Sequence, residues 1–279
     1  MKPPSNVAFL ERAIRRLAAS NEEAVQMRVT MANVVAGQFL DGVVMRGGGS
    51  LKLRYGEETT RYTTDFDAAR NIDEEEFIER FNARVAKGWN DFAGRLVKKP
   101  KPRPMQISPK YVMQPFEVKL TYRNHPWCTV DLEVSYNEVG DADAFDTVAL
   151  PESVLKLFSD LNLPRPNPVP LMKISHQLAQ KIHGATDVRF VRVQDLVDLQ
   201  LMVSHETVAL REVREICERL FANRRLQPWP SRVIPTQEWS AAYEAARADL
   251  PVLPTVDEAV AWANDLIARI DAAKGDSPS

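Results

Sequence analysis

The sequence predicts an α+β chain in which a sheet-bearing N-terminal lobe, residues 1–163, precedes a helical C-terminal lobe, residues 164–279. Three observations carry this. Short β-rich runs, Val43–Arg46, Phe116–Tyr122 and Trp127–Val134, all fall in the first half of the chain, and the last two alternate apolar and polar residues as half-buried strands do. Beyond Leu171 the apolar residues recur almost continuously at helical spacing. Between the two regimes lies PRPNPVP, Pro164–Pro170, whose prolines stiffen the chain into extended geometry and mark a lobe boundary.

Taken in order, Phe9, Leu10, Ala13, Ile14 and Leu17 give a first helix, and Val25, Val29, Val34, Val35 and Phe39 a second that ends before Gly42. Val43–Arg46 is a strand leading into Gly47-Gly48-Gly49-Ser50, and Ser50–Tyr55 a short helix closed by Gly56. After a polar connection, Tyr62–Asp67 reads as a strand. Asp73–Trp89 is amphipathic, with Phe77, Phe81 and Val85 four apart. Lys98–Pro104, KKPKPRP, is a proline-broken basic loop. FEVKLTY and WCTVDLEV form an antiparallel pair joined by Arg123-Asn124-His125-Pro126. Pro151–Leu161 is a short helix. The helices Leu171–Gly184, Val193–Val203, Thr207–Asn223 and Thr236–Ala248 follow, with a last one opened by a Thr255/Glu258 capping box and fraying after Lys274.

With 279 residues and 44% apolar composition the chain can bury a large core. No run approaches the roughly 18 apolar residues of a membrane span, and MKPPSNVAF lacks the apolar core of a secretory signal, so the expectation is a soluble, cytoplasmic protein. Cys128 and Cys217 form no CxxC, and no histidines cluster beside them, which excludes a disulfide scaffold and a zinc set. Thirty-six basic residues against thirty-eight acidic ones leave a net charge of −2, so any polyanion must be held by a local patch.

The stretch RGGGSLKLRYGEETTRYTTDFD, Arg46–Asp67, concentrates the chemistry. Glycines let a backbone approach a phosphate closely, and the first turn of the following helix presents unpaired N–H groups and the positive end of a dipole. Gly47–Ser50 therefore reads as a phosphate cradle. Asp65 and Asp67, two apart on a strand, would share a face roughly 6.6 Å from each other, suited to gripping divalent cations. A cradle followed by paired carboxylates equips a chain to handle a nucleoside triphosphate with Mg²⁺. Asp131 and Glu133 also share a strand face; they meet solvent, or they lie beside the Asp65/Asp67 strand and supply a third carboxylate, Asp131 first and Glu133 second. The basic loop is either a polar connection or an arm for RNA phosphates. Farther on, Lys181 precedes a glycine that would end its helix, and Asp195 and Asp198 are i,i+3 neighbours. Surface ion pairing accounts for these. Should the helical lobe close over the cradle instead, Lys181 reaches triphosphate oxygens and Asp195 positions a hydroxyl or orients that lysine.

RGGGSLKLRYG followed by RYTTDFD resembles the KGGTSL…RxSxDLD signature of the AbiEii/AbiGii nucleotidyltransferase toxins, which include the MenT toxins, and QKIHGA…RVQDLVDL resembles that family's paired distal motifs. The likeness runs from Val43 to Met202 with its parts in the right order. It implies a polymerase-β-like nucleotidyltransferase fold with a mixed sheet. Gly47, Gly48 and Ser50 fall on the nucleotide cradle, Asp65 and Asp67 on the metal pair, Lys181 on the distal lysine, Asp195 on the distal aspartate, and Arg61 on an arginine that meets phosphate. Arg46 replaces the usual lysine, Gly49 the usual threonine, and Ala68 a bulkier apolar residue. The activity implied is transfer of NMP from an NTP to an acceptor hydroxyl, the 3′ end of tRNA in relatives, by the toxin of a toxin–antitoxin pair, with a cognate antitoxin as partner. Two other readings compete: transfer to a small molecule or protein, which would need neither the basic loop nor Arg211, Arg214, Arg219, Arg224 and Arg225, and a non-catalytic nucleotide-binding module.

Overall fold

The computed structural model describes residues 2–103 and 111–273. Pro104, at the end of the basic run, and Lys274, where the last helix was expected to fray, lie outside the described residues. The fold is α+β and divides into two compact units, Met1–Glu57 with Thr63–Met172, and Glu58–Tyr62 with Lys173–Ser279.

The first unit is built on a mixed seven-stranded sheet with strand order β3-β4-β5-β2-β1-β7-β6. In chain order these strands are β1 Val43–Arg46, β2 Phe66–Arg70, β3 Phe92–Lys98, β4 Gln114–Tyr122, β5 His125–Tyr136, β6 Phe145–Thr147 and β7 Pro170–Met172. The central pairs are β1–β2, antiparallel, and β2–β5, parallel. Alternation does the sorting: along β4, Gln114, Phe116, Val118, Leu120 and Tyr122 are buried while the residues between them are only half-buried. The buried set joins α1 (Val7–Leu17), α2 (Asn21–Gly37), α4 (Glu74–Lys87) and α5 (Glu152–Asp160) in one core. Phe39, Phe77, Phe81 and Phe116 meet there edge-on or tilted, the preferred geometry for aromatic quadrupoles. The opposite face carries, among the described residues, a small buried apolar cluster, Val44, Ala69, Ala142 and Met172, beside charged positions.

Several sequence expectations need correction. Phe92–Lys98 is a strand that the reading left out, its pattern hidden by Gly94, whose missing Cβ would sit 2.3 Å from the Lys119 carbonyl. Pro170–Met172 is a strand of the sheet, pairing parallel with β1 at Met45↔Leu171 and antiparallel with β6, and the helix expected from Leu171 starts at Ile174. The Arg123-Asn124 turn holds both residues at positive φ, 48° and 63°, as a two-residue hairpin with the right twist requires.

The second unit packs α6 (Ile174–Ala185), α7 (Val193–His205), α8 (Leu210–Arg224), α9 (Trp239–Arg247) and α10 (Val256–Ala272). The capping box at Thr255 and Glu258 forms as expected. No helix of the described residues is long and apolar enough to cross a membrane. Burial raises both thiols, Cys128 to about 12 and Cys217 further, so neither is a thiolate near neutrality.

Candidate nucleotide and metal site

The glycine run is itself the first turn of α3 (Gly47–Tyr55), where a helix from Ser50 was expected. Gly47 takes φ +68°, turning the chain out of β1 so that the N–H groups of the first helical turn are left without intrahelical acceptors. Arg46, the N-cap, makes no side-chain capping bond to them. Ser50 is fully buried and its hydroxyl donates to the Gly47 carbonyl at 2.8 Å, pinning the turn from inside. Arg46 stands opposite Asp67 on the neighbouring strand and donates to Ser135 Oγ at 3.1 Å.

The glycines are also set by the carboxylates beside them. A Cβ at Gly47 would lie 2.5 Å from Asp67 Oδ2, and one at Gly49 would lie 2.6 Å from the backbone oxygen of Asp65 and 2.8 Å from Met45 Cε. The threonine usual at the second position has no room here, which explains the departure at Gly49. Gly49→Thr is expected to lower the thermal midpoint by about 5 °C, an overpacking cost of about 2 kcal/mol, because the Asp65 backbone must move. An unchanged midpoint would show that this carbonyl yields freely.

Asp65 and Asp67 do not both lie on a strand. β2 begins at Phe66, and Asp65 precedes it, its N–H donating to Thr63 Oγ1 at 3.2 Å. That side-chain bond offers the backbone an alternative to the sheet ladder. The strand instead runs on to Arg70, because Ala68 and Ala69 are small enough to sit between β1 and β5. On β5 the register pairs Asp67 with Glu133, so Glu133 takes the position beside the aspartate that the sequence reading gave first to Asp131. Asp131 sits one row away, paired with Glu117 of β4. Partial removal from water, then the charges of Asp67 and Asp65, raise the Glu133 carboxyl, while Arg46 pulls it down.

Among the described residues no group of three or more His, Cys, Asp or Glu side chains is close enough to enclose a metal by itself. A small hard cation bound through one or two carboxylates and the phosphates of its substrate needs no such cage. The crowding of like charge around Glu133, against the first turn of α3, fits that mode of binding.

Lys52, which the sequence reading passed over, is 2% exposed. It reaches Glu57 Oε1 at 3.0 Å and the Thr63 carbonyl at 3.2 Å, and Thr30 donates to the other Glu57 oxygen. The cradle helix is thereby tied to the segment that delivers Asp65. A lysine between two buried leucines, Leu51 and Leu53, was the available signal.

In the second unit Lys181 is not an exposed helix-end cation. It is 9% exposed, with Nζ 2.8 Å from Asp195 Oδ1 and 2.6 Å from Asp198 Oδ2. Arg192 and Arg61 complete the network at 2.8 Å from Asp195 and 3.0 Å from Asp198. Gly184 lies inside α6, and its role is close approach: a Cβ there would be 2.3 Å from Asp195 Oδ2. Burial opposes ionisation of Lys181, but Asp195 and Asp198 outweigh it and hold the ammonium above its ordinary value. Burial likewise opposes the Asp195 charge, and Lys181 and Arg192 outweigh it.

The profile of one family, described as nucleotidyl transferase AbiEii toxin of a type IV toxin–antitoxin system, matches residues 30–265, most of both units, and takes in every candidate-site residue described above. The chain belongs to the AbiEii nucleotidyl transferase toxin family. Among solved structures it is similar to MenT4, a nucleotidyltransferase toxin from Mycobacterium tuberculosis H37Rv, at 15% identity and a TM-score of 0.50, over 96% of this chain and 99% of that one. A further match is JHP933 from Helicobacter pylori, at 14% identity and a TM-score of 0.43, over 91% and 94% of the two chains. The MenT4 likeness bears on the fold, which is that of the MenT nucleotidyltransferase toxins. No curated protein matches by sequence.

Proposed function

We propose that this AbiEii-family protein is a Mg²⁺-dependent nucleotidyltransferase toxin that moves NMP from an NTP to an acceptor hydroxyl, the 3′ end of a tRNA, and releases pyrophosphate. The observation that carries the reading is the fit of the glycine turn against Asp67, so close that no side chain fits between the N–H groups offered to phosphate and the carboxylate offered to a cation. Asp65 and Asp67 hold the metal, with Glu133 beside them and Asp131 one row out. Bound there, Mg²⁺ would neutralise the triphosphate and acidify the attacking hydroxyl. The Gly47–Ser50 turn orients the leaving phosphates through its N–H groups. Lys181 and Asp195 belong to the proposal as residues that transfer requires, and Arg61 enters it as their neighbour through Asp198. An antitoxin partner and a cytoplasmic site of action, where NTPs and tRNA are found, go with the family.

The test is incubation of purified protein with each α-labelled NTP, Mg²⁺ and total tRNA. Label appearing on the tRNA 3′ end supports the reading. Label on protein or on a small molecule moves the acceptor elsewhere, and no transfer with any NTP leaves a nucleotide-binding module.

A further inference from the structure

The polar face of the sheet continues past the carboxylates. The register lines up its side chains in rows across strands: Arg46, Asp67, Glu133 and Pro115 in one, Asp131, Glu117 and Val97 in the next, Thr129, Lys119 and Arg95 in the third. Thr129, Asp131, Glu133 and Arg95 are exposed along this face, and the residues alternating with them on β5 point into the core.

The third row places two cations, Arg95 and Lys119, directly opposite each other on neighbouring antiparallel strands. Like charges so placed destabilise a sheet. The compensation available is partial. Glu117 serves Lys119 at 3.3 Å but is already held by Lys99 at 2.6 Å. Arg95 has no carboxylate within ion-pair reach among the described residues. Two acids, Glu117 and Asp131 beside it, thus stand against three cations, at the edge of a face whose other end carries Asp67 and Glu133. The arginines of α8 differ: Arg211 and Arg214 are answered by Glu215 and Glu218 one helical turn on. So is the start of the basic loop, since Lys98 pairs with Glu74 on the core side of the sheet.

We infer that Arg95 and Lys119 form a contact for the phosphate backbone of a polynucleotide acceptor, laid across the open face of the sheet with its terminal hydroxyl at the carboxylates. Four residues along β5 and two strand spacings separate Lys119 from Asp67, about 16 Å, a span of a few nucleotides. The open-face positions of β3 and β4, Ala93, Arg95, Val97, Pro115, Glu117, Lys119 and Thr121, include no aromatic ring on which a base could stack. The contact is therefore to phosphate and indifferent to base sequence, and it would guide an acceptor end without selecting among sequences. The inference rests on the proposed transfer to RNA.

The experiment compares wild type with Arg95→Glu/Lys119→Glu and with the neutral Arg95→Gln/Lys119→Gln, using fluorescent total tRNA and a short single-stranded RNA with a free 3′ hydroxyl. Binding is titrated across salt, binding of NTP is followed separately, and transfer of label from NTP to any acceptor is recorded for the wild type. Two lost phosphate contacts should reduce the slope of log affinity against log salt by about 1.5 and weaken binding at least tenfold at low salt, in the order Glu below Gln below wild type, with NTP affinity unchanged. An unchanged slope and affinity in both folded variants would overturn the inference and leave the proposed function standing. RNA binding absent from the wild type itself would overturn it too, and the parallel transfer record then shows whether nucleotidyl transfer to another acceptor survives.

Discussion

Asp67→Asn should abolish nucleotidyl transfer, on the order of a thousandfold or more, about 4 kcal/mol of barrier, while leaving the thermal midpoint within a few degrees of wild type. The amide has the shape of the carboxylate but not its charge, and it cannot neutralise or fix a hard cation. Asp67 is half-buried, paired in register with Arg46 on β1 and Glu133 on β5, and packed close against Gly47. Removing its charge relieves the repulsion that raises Glu133, so the fold should not suffer. Single-turnover transfer and thermal denaturation on the same preparation check this, and wild-type transfer in the folded variant would remove the metal site. The same assay ranks the remaining acids: Glu133→Gln should lose transfer severely and Asp131→Asn only severalfold, because the register puts Glu133, not Asp131, beside Asp67.

That ranking shows where reading the sequence reached its limit. The spacings Asp-x-Asp and Asp-x-Glu each declare a shared strand face, and the strands and the turn joining β4 to β5 follow from alternation and local turn chemistry. Which acid meets which depends on how β2 slides along β5, and a parallel pair closed by 54 intervening residues, 71–124, leaves no local trace of its register. The glycine run was legible as a turn from composition alone, yet the reason for glycine at 49, the Asp65 carbonyl behind it, is a tertiary contact. Lys52 was missed for a related cause. A lysine in a short helix is by default solvated, and the return of Glu57 and Thr63 beneath it helps make burial tolerable. In the second unit the i,i+3 spacing of Asp195 and Asp198 was visible, while the lysine that both of them clasp was read either as a surface ion-pair partner or as reaching triphosphate, and not as buried between them.

Correcting that reading reverses one expectation about stability. Taken as an exposed helix-end cation, Lys181 could be cut to alanine at about 0.3 to 1 kcal/mol. In its observed surroundings Lys181→Ala strands Asp195 and Asp198, each 1% exposed, with only Arg192 and Arg61 to answer them. Breaking a buried ion pair from one side costs about 3 to 5 kcal/mol, which for a chain of this size lowers the midpoint by roughly 10 °C. The pH dependence carries the signature of the network. Asp195 is held below its ordinary 3.8, so its share of stability is present above that value and lost as pH falls through the lowered one. Lys181 is held above its ordinary 10.5, so its share is present below that value and lost as pH rises through the raised one. The gap between wild-type and variant midpoints should therefore be flat from about pH 5 to pH 9 and close on acidification below the aspartate range. A gap under about 2 °C at neutral pH would mean that the network contributes little to the fold. Transfer is then measured at a temperature where the variant remains folded: a loss of two orders or more there gives Lys181 a part in the chemistry beyond its structural one, and full activity confines it to holding its own unit together.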